Sequence, residues 1–107
     1  MSLDESRFAA LADRTLEHVA DVLDEALGDR IDVDYQHGIV TITLGDGGQY
    51  VLNKHGPMRQ LWLSSPVSGA SHFDWREDAW RSTRGAAVLT TLLADELTAK
   101  TGVAVAL

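Results

Sequence analysis

The chain has 107 residues, 45% of them hydrophobic, which is enough for one domain and too few for two. Nine Lys and Arg against 16 Asp and Glu give a formal charge of -7, which disfavours nucleic acids and anionic membranes and favours cations or basic proteins as partners. The absence of cysteine excludes disulfides, thiolate metal sites and a self-ligated iron-sulfur cluster. The N-terminal MSLDESRF lacks the features of a signal peptide, so we expect the whole chain, residues 1–107, to be one cytoplasmic domain.

The first predicted element is a helix from about residue 4 to 27. Ser2 and Glu5 have the spacing of a capping box, and Gly28 is a typical stop. Apolar residues recur at steps of three and four and would form one stripe: Phe8, Leu11, Ala12, Leu16, Val19, Leu23 and Leu27.

A run of strands follows. Ile31, Val33 and Tyr35 alternate with polar residues and are expected to point inward, and His37-Gly38 predicts a hairpin turn. The other predicted strands are 39–44, 49–54, the segment RQLWLSSP at 59–66, 71–75 and a short one near 79–81. Because every connection is too short for a crossover helix, the sheet should be antiparallel.

A second helix is predicted from Ala86 to Lys100, with Gly102 at its end. Helices at both ends of about six antiparallel strands indicate an α+β fold, a two-layer sandwich with both helices on one face of the sheet.

The polar side of the first helix is acidic. The carboxylates of Asp13, Glu17, Asp21, Asp24 and Glu25 lie within about 120° of one another on a helical wheel. Beyond the helix come Asp29, Asp32 and Asp34, the last two on the outward side of the first strand. A solvated helix face is the simplest interpretation, but like charges one turn apart do not stabilise a helix, so we favour a functional use. Oxygen ligands suit hard or borderline cations, and the same ridge would attract a basic protein.

The segment RQLWLSSP places a tryptophan on the outward face of the sheet. Leu61 and Leu63 share the inward face with Phe73 and Trp75, whereas the outward set is polar: Asn53, Gln60, Trp62, Ser64, His72 and Asp74. An indole among amides, a hydroxyl and an imidazole is typical of a protein interface. The four histidines show no ligand spacing, Ser64-Ser65 lacks a nucleophile motif, and Gly45-Asp46-Gly47-Gly48 joins two strands as a turn.

Several motifs together resemble the frataxin family, whose bacterial members are called CyaY. They run from Leu11-Ala12-Asp13 and Gly38-Ile39-Val40-Thr41-Ile42 through NKHGPMRQLWLSSPVSG at 53–69 to His72-Phe73-Asp74-Trp75. The resemblance covers nearly the whole chain and implies the same two-layer α-β sandwich.

The resemblance implies an iron-binding regulator and iron donor in iron-sulfur cluster assembly, docking on a cysteine desulfurase and a scaffold protein. It places weak binding of Fe2+ or Fe3+, or of other divalent cations, on Asp21, Asp24, Glu25, Asp29, Asp32 and Asp34, with Asp13 and Glu17 beside them. It places partner contacts on Asn53, Gln60, Trp62 and His72. We expect a non-enzymatic protein, mainly a monomer, that binds neither nucleic acid nor membrane.

Two alternatives stay open, a ferroxidase or iron-storage protein that oligomerises with iron, and a metal-independent acidic adaptor of the desulfurase. The chain also departs from relatives: His55 stands where many have Gln, Ala70 replaces a frequent Pro, and Leu27 and Arg30 interrupt the acidic run. The Leu-Ser-Ser-Pro segment is closer to mitochondrial members than to many bacterial ones. Because these two groups are thought to affect the desulfurase in opposite directions, the resemblance implies neither activation nor inhibition by itself.

Overall fold

A computed structural model gives the structure of residues 4–107. Two helices and six strands follow in the order α1 Glu5–Leu27, β1 Ile31–Gln36, β2 Ile39–Leu44, β3 Gln49–His55, β4 Gln60–Ser65, β5 Gly69–Arg76, β6 Ala79–Ser82 and α2 Leu89–Thr101. The strands form one sheet in which each is antiparallel to the next in the sequence. Both helices pack on the same face of this sheet through one hydrophobic core. The predicted α+β sandwich is confirmed.

Helix α1 begins with a side-chain cap at Asp4. The Asp4 carboxylate accepts a hydrogen bond from the backbone N–H of Arg7 at 2.8 Å, which satisfies one of the free donors of the first turn. Ser2, the predicted cap, lies outside the described residues. The buried side of the helix has the predicted period: Phe8, Ala12, Leu16, Val19, Ala20, Leu23 and Leu27.

Helix α2 begins at Leu89, so the predicted start at Ala86 is wrong. Ala87 and Val88 instead continue in extended form beside β6, where Ser82 N donates to Ala87 O at 2.8 Å and Val88 bridges Arg81. Val88 has no side-chain oxygen to cap the helix. The predicted end is confirmed, because Gly102 takes the left-handed conformation with φ 74°.

The inward face of the sheet forms the core. It contributes Val40, Ile42, Tyr50, Leu52, Leu61, Leu63 and Phe73, each at most 2% exposed. Trp75 is half-buried and meets Trp80 edge to face at 5.3 Å. Tyr35 departs from the prediction: it is 37% exposed, because β1 is an edge strand and its last residues extend beyond the dense part of the core.

Glu96 ties α2 to the sheet. Its Oε1 accepts hydrogen bonds from Tyr50 Oη at 2.9 Å and from Ser65 Oγ at 2.6 Å. Ser65 Oγ in turn accepts the backbone N–H groups of Val67 and Ser68 at 2.9 and 3.0 Å, as expected for a hydroxyl at the end of a strand. Within residues 4–107, no helix is long and apolar enough to cross a lipid bilayer.

Candidate functional site

The outward face of the sheet carries the predicted partner-binding residues. Antiparallel pairing places Asn53 of β3 opposite Trp62 of β4, and Trp62 opposite His72 of β5. Gln60 lies two residues along β4 and is paired with His55 and Asp74. Since directly paired residues point to the same side of a sheet, all of these side chains share the face that the helices leave uncovered.

Trp62 lies at the centre of a stack of three rings. The His55 imidazole lies over one face of the indole, with ring centroids 3.8 Å apart and planes inclined by 6°. The His72 imidazole lies over the other face at 4.2 Å and 8°. We call these three residues the ring stack. Because both faces of the indole are covered, a partner would meet its edge and the outer faces of the two imidazoles.

Gln60 fixes the orientation of the indole. Trp62 Nε1 donates to Gln60 Oε1 at 2.8 Å, and Gln60 Nε2 donates to Asp74 Oδ1 at 3.0 Å. Gln60 is on the outward face as predicted, but it is only 8% exposed. Its amide therefore holds Trp62 in place and is less open to a partner than the sequence suggested.

His55 also belongs to this face, although the sequence marks it only as a departure from the family pattern. The signal that could have identified it is the register of the β3–β4 hairpin, because pairing Asn53 with Trp62 makes His55 a diagonal neighbour of the indole.

The eight predicted iron-binding carboxylates are all exposed. Five lie on α1, one lies in the α1–β1 turn, and Asp32 and Asp34 lie on β1. The two β1 residues point to the outward face, whereas α1 packs on the inward face, so the two groups can meet only around the open edge of β1. We call this set the acidic ridge: Asp13, Glu17, Asp21, Asp24, Glu25, Asp29, Asp32 and Asp34.

Asp13 differs from the other ridge residues because it already has a cationic partner. Lys54 Nζ donates to Asp13 Oδ1 at 2.7 Å and joins β3 to α1. Burial raises the pKa of the nearby Tyr35 hydroxyl, and the negative charge of Asp13 adds to that effect. A cation at Asp13 would therefore have to displace Lys54.

Asp29 and Asp32 line a shallow cavity of about 210 Å³ between the α1–β1 and β2–β3 turns, together with Arg30. Arg30 lines the same cavity, and its positive charge weakens the negative potential of the two carboxylates there. Within residues 4–107, no group of three or more histidine, aspartate or glutamate side chains has the arrangement of a metal site. Single carboxylates of this kind can bind hard cations through one or two oxygens and water.

Comparison with known proteins defines the class. A family model described as frataxin-like domain matches residues 1–103. The chain is 44% identical over 102 residues to mitochondrial frataxin of Arabidopsis thaliana, covering 89% of this chain and 54% of that protein. It is 41% identical over 81 residues to the iron-sulfur cluster assembly protein CyaY of Pseudomonas fluorescens, covering 76% of this chain and 72% of that protein.

Solved structures agree with this class. The frataxin of Psychromonas ingrahamii superposes with a TM-score of 0.86 at 21% identity, covering 97% of both chains, and supports the fold. Trimeric frataxin of Saccharomyces cerevisiae, complexed with ferrous iron, superposes with a TM-score of 0.77 at 36% identity, covering 95% of this chain and 89% of that one. The chain belongs to the frataxin family. It spans 54 to 64% of the length of the mitochondrial frataxins of A. thaliana, Schizosaccharomyces pombe and S. cerevisiae.

Proposed function

We propose that this chain is an iron-binding regulator and iron donor in iron-sulfur cluster assembly that docks on a complex of cysteine desulfurase and scaffold protein. The observation that carries the proposal is the uncovered sheet face with an oriented Trp62 at its centre. A half-buried indole held by fixed neighbours loses little conformational entropy on binding, which is typical of interface hot spots. Relatives named iron-sulfur cluster assembly protein CyaY supply the process.

The acidic ridge has the second role in the proposal. Its exposed carboxylates bind iron weakly and also attract basic residues of the desulfurase. The ferrous complex of the yeast frataxin supports the choice of iron. The spread of the carboxylates along α1 and the edge of β1 favours the metal-independent adaptor as the second candidate, because a broad charged surface suits a protein better than it suits one ion.

The test of docking is Trp62→Ala in cluster assembly reconstituted with desulfurase, scaffold and iron. We expect the variant to lose its effect on the assembly rate, since truncating a central aromatic residue of an interface costs about 2 kcal/mol or more, or roughly 30-fold in affinity. Val67→Ala is the control, because Val67 is a 55% exposed apolar residue in the β4–β5 turn. An unchanged assembly rate with folded Trp62→Ala would contradict the proposal.

A further inference from the structure

The ring stack depends on a contact that involves one of its histidines. Met58, in the β3–β4 turn, donates its backbone N–H to His55 Nδ1 at 3.2 Å. Acceptance at Nδ1 requires that this nitrogen carry no proton, so the proton of neutral His55 is on Nε2. Imidazolium carries N–H groups at both nitrogens, and therefore protonation of His55 removes the acceptor for Met58.

Charged groups surround the stack on β3, β5, β6 and the β3–β4 turn. Strand β3 adds Lys54, which points to the opposite face and pairs with Asp13, and the β3–β4 turn adds Arg59. From β5 come His72 itself and Asp74, which accepts from Gln60 and lies 4.0 Å from Arg76 Nε.

Strand β6 adds Arg81, whose guanidinium donates to the carbonyl oxygens of Arg76 and Glu77 and lies 4.0 Å from the Glu77 carboxylate. The cation nearest Asp74 is therefore Arg76. The two imidazoles lie on opposite faces of one indole, so two imidazolium ions would repel each other across the ring. A single imidazolium can gain a cation–π contact with the indole, but at His55 it does so only by losing the Met58 bond.

We propose that His55 is a positioning residue of the docking face. Neutral His55 holds the indole of Trp62 in the stack, with its edge toward the partner, and protonation of His55 releases the ring and weakens docking. Histidine is the side chain that ordinarily changes charge between about pH 5 and 8. The docking step rests on the proposed function, whereas the release of Trp62 is a property of the free protein.

The release is tested first without a partner. The indole Nε1–H signal of Trp62, assigned by its loss in Trp62→Phe, is followed by ¹⁵N NMR from about pH 8 to about pH 5.5, the range in which histidine titrates. We expect it to shift as its bond to Gln60 loosens. In His55→Phe, which keeps a stacked ring but cannot be protonated, we expect the signal to stay in place. His37→Asn is the control, because His37 lies in the β1–β2 turn and should leave the wild-type titration unchanged.

An equal shift in wild type and His55→Phe would overturn the proposal, because the shift would then not depend on His55. A signal that does not move in the wild type would also overturn it. Docking is measured next, as affinity for the scaffold at high and low pH. We expect wild type to lose about three- to tenfold at low pH, the size expected for re-ordering one or two side chains, and His55→Phe to lose less than half of that factor.

The two proposals fail in different ways. If the free protein shows the His55-dependent shift and neither form binds the scaffold at any pH, the proposed function is wrong and the release of Trp62 stands. If both forms bind and lose affinity equally, docking stands and the control by His55 is wrong.

Discussion

Tyr50 is fully buried, and its hydroxyl has a hydrogen-bond partner. It donates to Glu96 Oε1 at 2.9 Å and so connects β3 to α2. Burial, followed by the hydrogen bond to Glu96, raises the pKa of Tyr50 to about 12 from an ordinary value of 10.0. The folded state therefore prefers the neutral hydroxyl.

This residue predicts a specific alkaline effect. Because the folded pKa is above the unfolded one, the contribution of Tyr50 is complete below pH 10 and is lost as the pH rises toward 12. We expect Tyr50→Phe to cost about 0.5–1.5 kcal/mol near neutral pH, the usual net value of one hydrogen bond. Urea unfolding of wild type and variant between neutral pH and about pH 12 should show the two stabilities converging as this contribution is lost.

Tyr35→Phe is the matched control for Tyr50. Tyr35 is more than a third exposed, and we expect a change within about 0.5 kcal/mol. If the free energies of unfolding of wild type and Tyr50→Phe differ by a constant amount across the alkaline range, the alkaline loss of stability does not come from Tyr50.

Trp62 marks how far single residues can be interpreted from sequence. Strand alternation predicts its outward face, and the structure agrees. Its exposed fraction cannot be predicted in the same way, because it depends on neighbouring side chains of β3 and β5, and the strand register decides which these are. The covering of the indole by His55 and His72, and the burial of Gln60 beside it, could not follow from alternation alone.

At the scale of elements, the β1–β2 turn has a strict conformational requirement. His37 and Gly38 have φ values of 53° and 77°, the left-handed pair of a tight hairpin turn. Because Gly38 has no side chain, Lys54 can also pass over the turn toward Asp13; an added Cβ would lie 3.3 Å from Lys54 Cε. The turn thus fixes both the register of β1 and the ion pair to α1.

Gly38→Ala should destabilise the fold. A non-glycine residue in the left-handed region costs about 1–2 kcal/mol, and the added methyl group presses on Lys54. Gly85→Ala is the control, because its φ is not positive and its added Cβ meets no atom within 4 Å. Urea unfolding should separate the two variants, and identical midpoints would show that the turn does not require glycine.

The helices show why element boundaries differ in predictability. The end of α2 follows from Gly102, which alone can adopt the left-handed cap without strain. Its start does not follow from the sequence, because Ala86 and Ala87 are good helix formers, whereas Ala87 and Val88 pair with β6 and so delay the helix to Leu89. Tertiary pairing outweighs local propensity there.

At the scale of the whole molecule, the charge is unevenly distributed. Seven of the eight ridge carboxylates, all but Asp13, lie on exposed positions without an ion pair among the described residues. The sequence predicted this ridge because helical periodicity places the carboxylates on one side. It could not predict the pair between Lys54 and Asp13, which are 41 residues apart in the chain.

Charge-matched variants test whether the ridge acts locally or through net charge. Each variant neutralises three exposed carboxylates, and the two sets are Asp21→Asn, Asp24→Asn, Glu25→Gln on the ridge and Glu77→Gln, Asp78→Asn, Asp95→Asn away from it. Three exposed pairs at about 0.5 kcal/mol each correspond to about tenfold in affinity. We expect that loss for desulfurase binding by the ridge variant at low salt, with a flatter dependence on salt than the wild type. Equal losses in both variants would assign the effect to net charge.

The same pair of variants separates iron binding from docking. In an anaerobic Fe2+ titration followed by NMR, we expect ridge signals to shift in the wild type and the control variant and to stay in place in the ridge variant. Because iron and basic side chains would then use the same carboxylates, added desulfurase should reverse the iron-induced shifts.

Iron shifts that persist in the ridge variant would place the metal elsewhere, and accelerated oxygen uptake in air would favour the ferroxidase alternative. Desulfurase binding that is independent of iron, combined with an assembly rate that does not depend on the iron carried, would favour the metal-independent adaptor.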